Sequence, residues 1–204
     1  MLDQKQHFTK IFNNNIFNGK ESISGEGSSL EQTKEIRKEL PKLFKSLNIK
    51  SMLDAPCGDW NWMRMVDLSD INYIGMDIVD EIINSNITKY AKSNIKFISG
   101  NIIEDQLPKV DIIFCRDCLV HLSYDNIFKS IKNFKKSRSK YLLTTTFPLY
   151  EKENEDLLEI NIWRALNLEK TPFNFPIPLE HIIEHSVGSP FNSKTLGLWK
   201  LSTL

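Results

Sequence analysis

Apolar residues in the first quarter of the chain repeat with the period of a helix. Residues 1–30, rich in Asn, Lys, Ser and Gly, predict a loop. The capping-box spacing of Ser28 with Glu31, or of Ser29 with Gln32, then marks the start of a helix. One apolar stripe follows at helical spacing and predicts the buried face of that helix: Ile36, Leu40, Leu43, Phe44 and Leu47.

From residue 51 onward, short runs that favour β-structure alternate with segments long enough for helices. The runs lie at 51–55, 72–77, 95–99, 111–115 and 140–146, and the clearest helical segments are 80–92 and 123–136. This alternation predicts an α/β fold with a mostly parallel sheet and helices on both faces. The last apolar run, 196–201, predicts a strand antiparallel to its neighbours.

The length of the chain favours one domain over 1–204. With 204 residues, 41% of them hydrophobic, it can bury one sizeable core. We divide it into an N-terminal loop and helix cap at 1–49, an alternating core at 50–147, and an insertion with closing strands at 148–204.

The charges are balanced, with 26 Lys plus Arg against 26 Asp plus Glu. This balance gives no general attraction for nucleic acid or for a membrane surface, so we expect a small-molecule partner. The basic run at 132–140 is interpreted as the solvated end of a helix. No apolar run approaches the ~20 residues that span a bilayer, and the polar start lacks a secretion signal, so we expect a cytosolic protein. The oligomeric state stays open.

No metal site is expected. Cysteines 57, 115 and 118 are too sparse for a disulfide framework, and the pair Cys115 and Cys118 lacks a second pair of ligands. His181 and His185 are spaced as on one helical face, but no third ligand is evident.

Acidic residues end the first two predicted strands. Asp54 is followed by a turn that contains Gly58, and Asp77 ends the second run. Ligands of such sheets bind beyond the carboxyl ends of the strands, where an acid can accept hydrogen bonds from ribose hydroxyls. The alternative is that both acids only cap helices.

These positions resemble the ordered motifs of class I S-adenosyl-L-methionine-dependent methyltransferases. The resemblance covers roughly residues 50–147, through Leu53-Asp54-x-x-x-Gly58, Asp77, Ser99-Gly100-Asn101-Ile102 and the run 111–117. Similarity to a bacterial subgroup of these enzymes extends over nearly the whole chain, including Asp54-Ala55-Pro56-Cys57-Gly58-Asp59 and Leu196-Gly197-Leu198-Trp199.

The resemblance implies a Rossmann-like fold and S-adenosyl-L-methionine as cofactor. It would place Asp54 and Gly58 at the methionine end, Asp77 at the ribose, and Asn101 with Ile102 beside the adenine. The neighbouring residues that we also expect to bind the cofactor are Pro56, Asp59, Trp60, Ile78 and Arg116.

The turn after the first strand departs from the family pattern. Pro56 and Trp60 stand where the family has glycines, which leaves Gly58 alone. We expect Pro56 to make the turn rigid and Trp60 to pack on the cofactor or on the N-terminal helix. A nicotinamide dehydrogenase is disfavoured because G-x-G-x-x-G is absent.

Asp117 and His121 are the candidate catalytic residues. If 117–122 begins a helical turn, the two share a face, and either can be the general base for a hydroxyl. The alternative is that His121 only packs beside the cofactor. Arg116 can anchor an anionic acceptor or pair with a nearby acid.

The acceptor pocket is expected from segments outside the minimal fold. These are the loop 18–29, whose closure as a lid stays open, and the insertion 147–178 with Trp163 and Arg164. Aromatic rings with a cation suit a sugar or a planar ring, although the rings can equally be core. Together with the resemblance to the bacterial subgroup, this composition leads us to expect O-methylation of a sugar or surface-glycan precursor, in capsule or lipopolysaccharide. N-methylation of a small amine or amide, and a non-catalytic cofactor-binding module, are the alternatives.

Overall fold

Six of the seven strands that the structure describes lie within a residue or two of the runs predicted from the sequence, and the strand at 180–183 has no predicted run. The computed structural model describes residues 3–157, 163–184 and 193–204. Its helices are α1 (Gln4–Asn13), α2 (Lys34–Ser46), α3 (Asp80–Tyr90) and α4 (Tyr124–Lys136). Its strands are β1 (Ser51–Asp54), β2 (Asn72–Asp77), β3 (Ile95–Ser99), β4 (Ile112–Cys115), β5 (Tyr141–Thr146), β6 (Glu180–Ile183) and β7 (Thr195–Lys200). Short 3-10 turns lie at Glu26–Ser28, Met63–Met65, Leu119–His121 and Leu201–Thr203.

The chain forms two compact units, Met1–Asn101 and Ile102–Leu204. In the first unit, β2 pairs in parallel with both β1 and β3. In the second unit, β4 and β5 are parallel, β7 is antiparallel to β5, and β6 is antiparallel to β7. These pairings confirm the predicted α/β class with mostly parallel strands and an antiparallel C-terminal strand. The division of one domain at residues 49 and 147 stays a prediction.

Burial explains why the apolar runs of the sequence predict these strands. All four residues of β4 are buried, and so are Met52 and Leu53 of β1. Parallel strands covered on both faces carry continuous apolar runs rather than alternating ones. The stripe of α2 is also confirmed: Ile36, Leu40, Leu43 and Phe44 are buried, and Leu47 is half-buried at the C-cap.

Two helices also differ from the sequence prediction. The loop expected over 1–30 contains α1, whose N-cap Asp3 accepts a hydrogen bond from the Gln6 amide at 2.8 Å. Ile11 is the buried residue of that helix, so its apolar period is weak. The helix predicted from the capping boxes begins at Lys34, and the Ser29 hydroxyl instead accepts the Gln32 amide at 3.3 Å one turn earlier.

Candidate functional site

The turn after β1 contains two residues in the left-handed region of backbone space. Gly58 has φ +53° and Trp60 has φ +57°. A side chain at Gly58 is excluded by space as well, because a Cβ there would lie 2.3 Å from Ser24 Oγ. The Ala55–Pro56 peptide bond is cis, and the Cys57 amide donates to Met76 O of β2 at 2.8 Å. The turn is thereby held against the end of β2.

Asp77 is the buried acid at that end of β2. Its Oδ2 accepts the Gly58 amide at 3.1 Å, and its Oδ1 accepts the Val79 amide at 3.0 Å. Burial raises the pKa of Asp77 to about 6, although the amides of Val79, Gly58 and Ile78 oppose the shift. The structure therefore brings Asp77 and Gly58 together, and each carboxylate oxygen retains lone pairs for further donors.

Asp54 lies buried at the end of β1. Its Oδ2 accepts a hydrogen bond of 2.5 Å from the hydroxyl of Tyr73, which belongs to β2. Tyr73 is almost fully buried and has no other role evident from the sequence. The sequence did not single out Tyr73, because its partner lies on a neighbouring strand.

Trp60 packs in an aromatic cluster. Its indole ring contacts Tyr73, Tyr90 and Phe97, with ring centroids 5.0 to 5.6 Å apart. The side chain is buried within this cluster, and its packing on the cofactor or on the N-terminal helix stays a prediction. The backbone at Trp60 takes a torsion that glycine adopts easily, so an aromatic residue stands here in a glycine-like conformation.

The N-terminal segment contacts the turn through Asp59. The Asp59 carboxylate accepts the Ser22 hydroxyl at 2.8 Å and the Ile23 amide at 2.9 Å. The Asp59 amide donates to Ser24 Oγ at 3.4 Å. Residues 22–24 of the loop 18–29 therefore lie against the turn that contains Gly58.

Three other predicted cofactor residues lie at strand ends. Ile78 directly follows β2 and is half-buried. Asn101 follows β3 and is half-buried, and the preceding Gly100 amide donates to Asp77 O at 2.9 Å. Ile102 begins the second unit, where it is buried and its carbonyl accepts the Asn133 side-chain amide at 2.8 Å.

Arg116 follows β4 and pairs with two acids. Its Nη2 lies 2.7 Å from Glu184 Oε2, its Nε lies 3.2 Å from both Glu184 oxygens, and its Nη1 lies 3.1 Å from Asp117 Oδ2. Lys194 completes the group through contacts with Asp117 and Glu184. Of the two roles left open for Arg116, the structure shows the pairing with an acid.

Asp117 and His121 do not share a helical face, contrary to the prediction. Asp117 has φ +50° and lies outside any helix, and His121 ends the 3-10 turn Leu119–His121. Burial raises the pKa of Asp117, but the charges of Arg116 and Lys194 outweigh it and lower that pKa to about 2. Burial lowers the pKa of His121 to about 4, although Asp117 opposes the shift. Neither group has a pKa near neutral pH, where general bases work best.

Arg164 holds the turn that contains His121. Its Nη1 donates to the carbonyls of Leu119 and Val120 at 3.2 and 2.9 Å, and its Nη2 donates to Leu122 O at 2.7 Å. Trp163 is partly buried and packs edge-to-face on Phe147, with the ring centroids 5.6 Å apart. Both contacts favour the alternative in which the insertion forms core rather than contacting the acceptor.

Metal ligands are not clustered in the part of the chain that the structure describes. His181 lies exposed in β6 rather than on a helix, and His185 lies outside the described residues. Cys57, Cys115 and Cys118 form no disulfide with one another. Within residues 3–157, 163–184 and 193–204, no helix has the length and apolar character needed to cross a membrane.

Comparisons with known proteins show the fold. No family model and no curated protein matches the sequence. The N-methyltransferase NodS from Bradyrhizobium japonicum WM9, with bound S-adenosyl-L-homocysteine, superposes with a TM-score of 0.69 at 12% identity, over 97% of this chain and 98% of NodS.

Two further solved structures agree. The methyltransferase domain of bacterial CtHen1 has a TM-score of 0.61 at 12% identity, over 83% of this chain and 99% of its own. Magnesium protoporphyrin IX methyltransferase from Synechocystis PCC 6803 has a TM-score of 0.54 at 15% identity, over 72% and 74%. The chain thus has the Rossmann-like fold of class I methyltransferases, as the motif order predicted.

Proposed function

We propose that this chain transfers a methyl group from S-adenosyl-L-methionine to a small-molecule acceptor in the bacterial cytosol. The observation that carries the proposal is the buried Asp77 carboxylate, which accepts the Gly58 amide across a turn with two left-handed residues. It supports the proposal because the same fold holds S-adenosyl-L-homocysteine in NodS.

The residues of the first unit suit this cofactor. Asp77 has oxygens that can accept the two ribose hydroxyls, and the missing side chain at Gly58 leaves room for Ser24 against the turn. We assign Asp54, with Pro56, Asp59 and Trp60 in the same turn, to the methionine side. We assign Ile78, Asn101 and Ile102 to the nucleoside side. No phosphate cradle is needed, because the cofactor contains no phosphate.

The bound cofactor would supply a methyl group already activated on a sulfonium, so the protein mainly has to position the acceptor. We propose a hydroxyl of a sugar or surface-glycan precursor as the acceptor, with Asp117 or His121 as its contact. Arg164, Trp163 and Arg116 then act through the shape of the second unit, because each of them contacts protein groups there.

N-methylation of a small amine is the second candidate, and one observation favours it. The pKa values of Asp117, about 2, and His121, about 4, make both groups weak bases at neutral pH. An amine that is already unprotonated needs no base. NodS is itself described as an N-methyltransferase.

The first experiment is isothermal titration with S-adenosyl-L-homocysteine. We expect micromolar binding to the wild type and a loss of at least tenfold in affinity for Asp77→Ala, with Asp80→Ala as a matched control in an exposed ion pair with Lys5. A folded wild-type protein that does not bind would refute the cofactor assignment.

Transfer of a labelled methyl group then separates the acceptors. Parallel assays with sugars and with amino sugars, at pH 6 to 9, would compare the wild type with His121→Ala. Hydroxyl transfer that needs His121 supports O-methylation. Amine transfer that tolerates His121→Ala and rises through the pKa of the amine supports N-methylation. Cofactor binding without transfer to any acceptor in a cell extract would favour the non-catalytic module.

A further inference from the structure

Four charged residues converge at one edge of the second unit's sheet. Asp117 follows β4 by two residues, and its amide donates to Thr145 Oγ1 of β5 at 2.8 Å. Because β7 is antiparallel to β5, with Thr195 opposite Thr146, β7 begins at the edge where β5 ends. The amide of Glu184 donates to Lys194 O at 2.9 Å. The carboxyl ends of β4, β5 and β6 and the start of β7 therefore meet.

These four residues, Arg116, Asp117, Glu184 and Lys194, are named the charge quartet. Their side chains are 5%, 26%, 1% and 12% exposed, in that order. Arg116 and Glu184 are buried and paired with each other, and Lys194 bridges the carboxylates of Asp117 and Glu184. Asp117 is thus the most exposed member of the quartet, and it lies at the edge where ligands of such sheets bind.

The contacts divide unequally between the two oxygens of Asp117. Oδ2 accepts from Arg116 Nη1 at 3.1 Å and from Lys194 Nζ. Oδ1 has a contact of 3.5 Å with Thr145 Oγ1, which is long for a hydrogen bond to a carboxylate. Asp117 also has φ +50°, and sparsely populated backbone conformations of this kind cluster at functional sites.

We propose that Asp117 Oδ1 binds a hydroxyl or amino group of the methyl acceptor, and that Lys194 and the Arg116–Glu184 pair are positioning residues for it. The inference rests on the proposed function and deepens it, because it assigns the acceptor contact to one oxygen of Asp117, names the residues that position it and excludes a phosphate at this point. The acceptor is a polyol or amino compound that donates a hydrogen bond at this point, not a compound bound here by a phosphate.

The charge balance of the quartet argues for this class of acceptor. Two cations face two carboxylates, so an approaching anion meets no unneutralised positive charge among them. Oδ1 itself carries negative charge, which repels a phosphate and attracts an O–H or an ammonium. Of the two roles left open for Arg116, this favours the pairing with an acid, because its guanidinium contacts Glu184 and Asp117.

The test uses three probes: methyl glucoside, glucosamine and glucose 6-phosphate. Saturation-transfer NMR would measure their binding to the protein saturated with S-adenosyl-L-homocysteine. We expect the two unphosphorylated probes to bind, and glucose 6-phosphate to bind at least fivefold more weakly than its unphosphorylated counterpart. A preference for glucose 6-phosphate, or no binding of either unphosphorylated probe, would overturn the inference.

Variants separate positioning from folding. Asp117→Asn and Lys194→Met should each weaken probe binding about tenfold, and Lys194→Arg should restore most of it. The double variant Lys194→Met with Glu184→Gln removes one charge of each sign, so we expect a thermal midpoint near that of the wild type with probe binding still lost. Lys140→Met is the matched control, because Lys140 forms an exposed ion pair with Asp111.

The outcomes distinguish the inference from the proposed function. Titration with S-adenosyl-L-homocysteine reports on cofactor binding, and it should be unchanged in every quartet variant, because Asp117, Glu184 and Lys194 are not among the residues assigned to the cofactor. If the cofactor analogue fails to bind the wild type, the proposed function fails. If it binds, and Lys194→Met or the double variant binds the probes like the wild type, Lys194 has no positioning role and the inference fails.

Discussion

Asp77 is an acid whose burial opposes its ionisation, and this predicts a pH dependence of cofactor binding. Its pKa is raised from 3.8 to about 6, so the unliganded fold is stabilised by protonated Asp77 at low pH and loses that contribution as the pH rises through 6. The ionised form is the one that accepts two ribose hydroxyls. We expect the affinity for S-adenosyl-L-homocysteine to fall up to about tenfold per pH unit below 6.

Isothermal titration between pH 5 and 8 measures this slope. The isosteric variant Asp77→Asn should bind more weakly and show no such slope, because its side chain does not titrate. An equal slope in Asp77→Asn would assign the titration to another group.

Gly58 combines a left-handed torsion with a close neighbour, so we expect Gly58→Ala to destabilise the turn. The torsion alone costs about 1–2 kcal/mol for a residue with a Cβ, and that Cβ would also overlap Ser24 Oγ. Chemical denaturation should report the loss. Adding Ser24→Ala should restore the part of the unfolding free energy that Gly58→Ala loses through the overlap. The part lost through the torsion should remain, so full recovery would contradict the torsional argument.

The predictability of the site from sequence depends on the distance between partners along the chain. Asp54, Gly58 and Asp77 stand at strand ends, a position that hydrophobic patterning reveals. Glu184 and Lys194 lie 68 and 77 residues from their partners Arg116 and Asp117, so no local pattern connects them. Such pairs become visible when the sheet brings β4, β6 and β7 together.

At the scale of elements, Arg164 connects the insertion to the 3-10 turn Leu119–His121, and we expect Arg164→Lys to weaken that connection. Lysine cannot reach the several carbonyls that the planar guanidinium contacts at once. With hydrogen bonds from charged groups contributing about 1.5–3 kcal/mol, we expect a loss of about 2 kcal/mol and a fall of about 5 °C in the thermal midpoint. Calorimetry checks this.

Arg64→Lys is the matched control for that experiment, because Arg64 makes an exposed hydrogen bond to Asn61 O and should change the midpoint little. If both variants lower the midpoint equally, the contacts of Arg164 with the turn are not what stabilises the second unit.

The other strands were predictable from the sequence, whereas the peripheral elements β6 and α1 were not. Both results have the same physical reason. A strand such as β4, buried throughout, must be apolar at every position. Of the four residues of β6, the buried one is Ile182, and α1 buries Ile11. Short elements that bury one side chain leave too few apolar positions to establish a period.

At the scale of the whole molecule, the fold is shared at very low sequence identity. NodS superposes over nearly the entire chain at 12% identity. Most side chains therefore differ while the fold is kept. Chemistry has to be argued from the few residues at strand ends, since a fold hosts many functions.

The balanced charge of the molecule predicts weak binding to nucleic acid. Lys plus Arg and Asp plus Glu number 26 each, and the exposed lysines Lys132, Lys135 and Lys136 lie at the end of α4, as the sequence predicted. Nucleic-acid affinity comes largely from neutralised phosphates and falls steeply with salt. We expect fluorescence anisotropy with a short single-stranded RNA to give a Kd weaker than about 100 μM at physiological salt. Tighter binding that Lys132→Glu with Lys135→Glu abolishes would make α4 a nucleic-acid interface and replace the small-molecule acceptor proposed above.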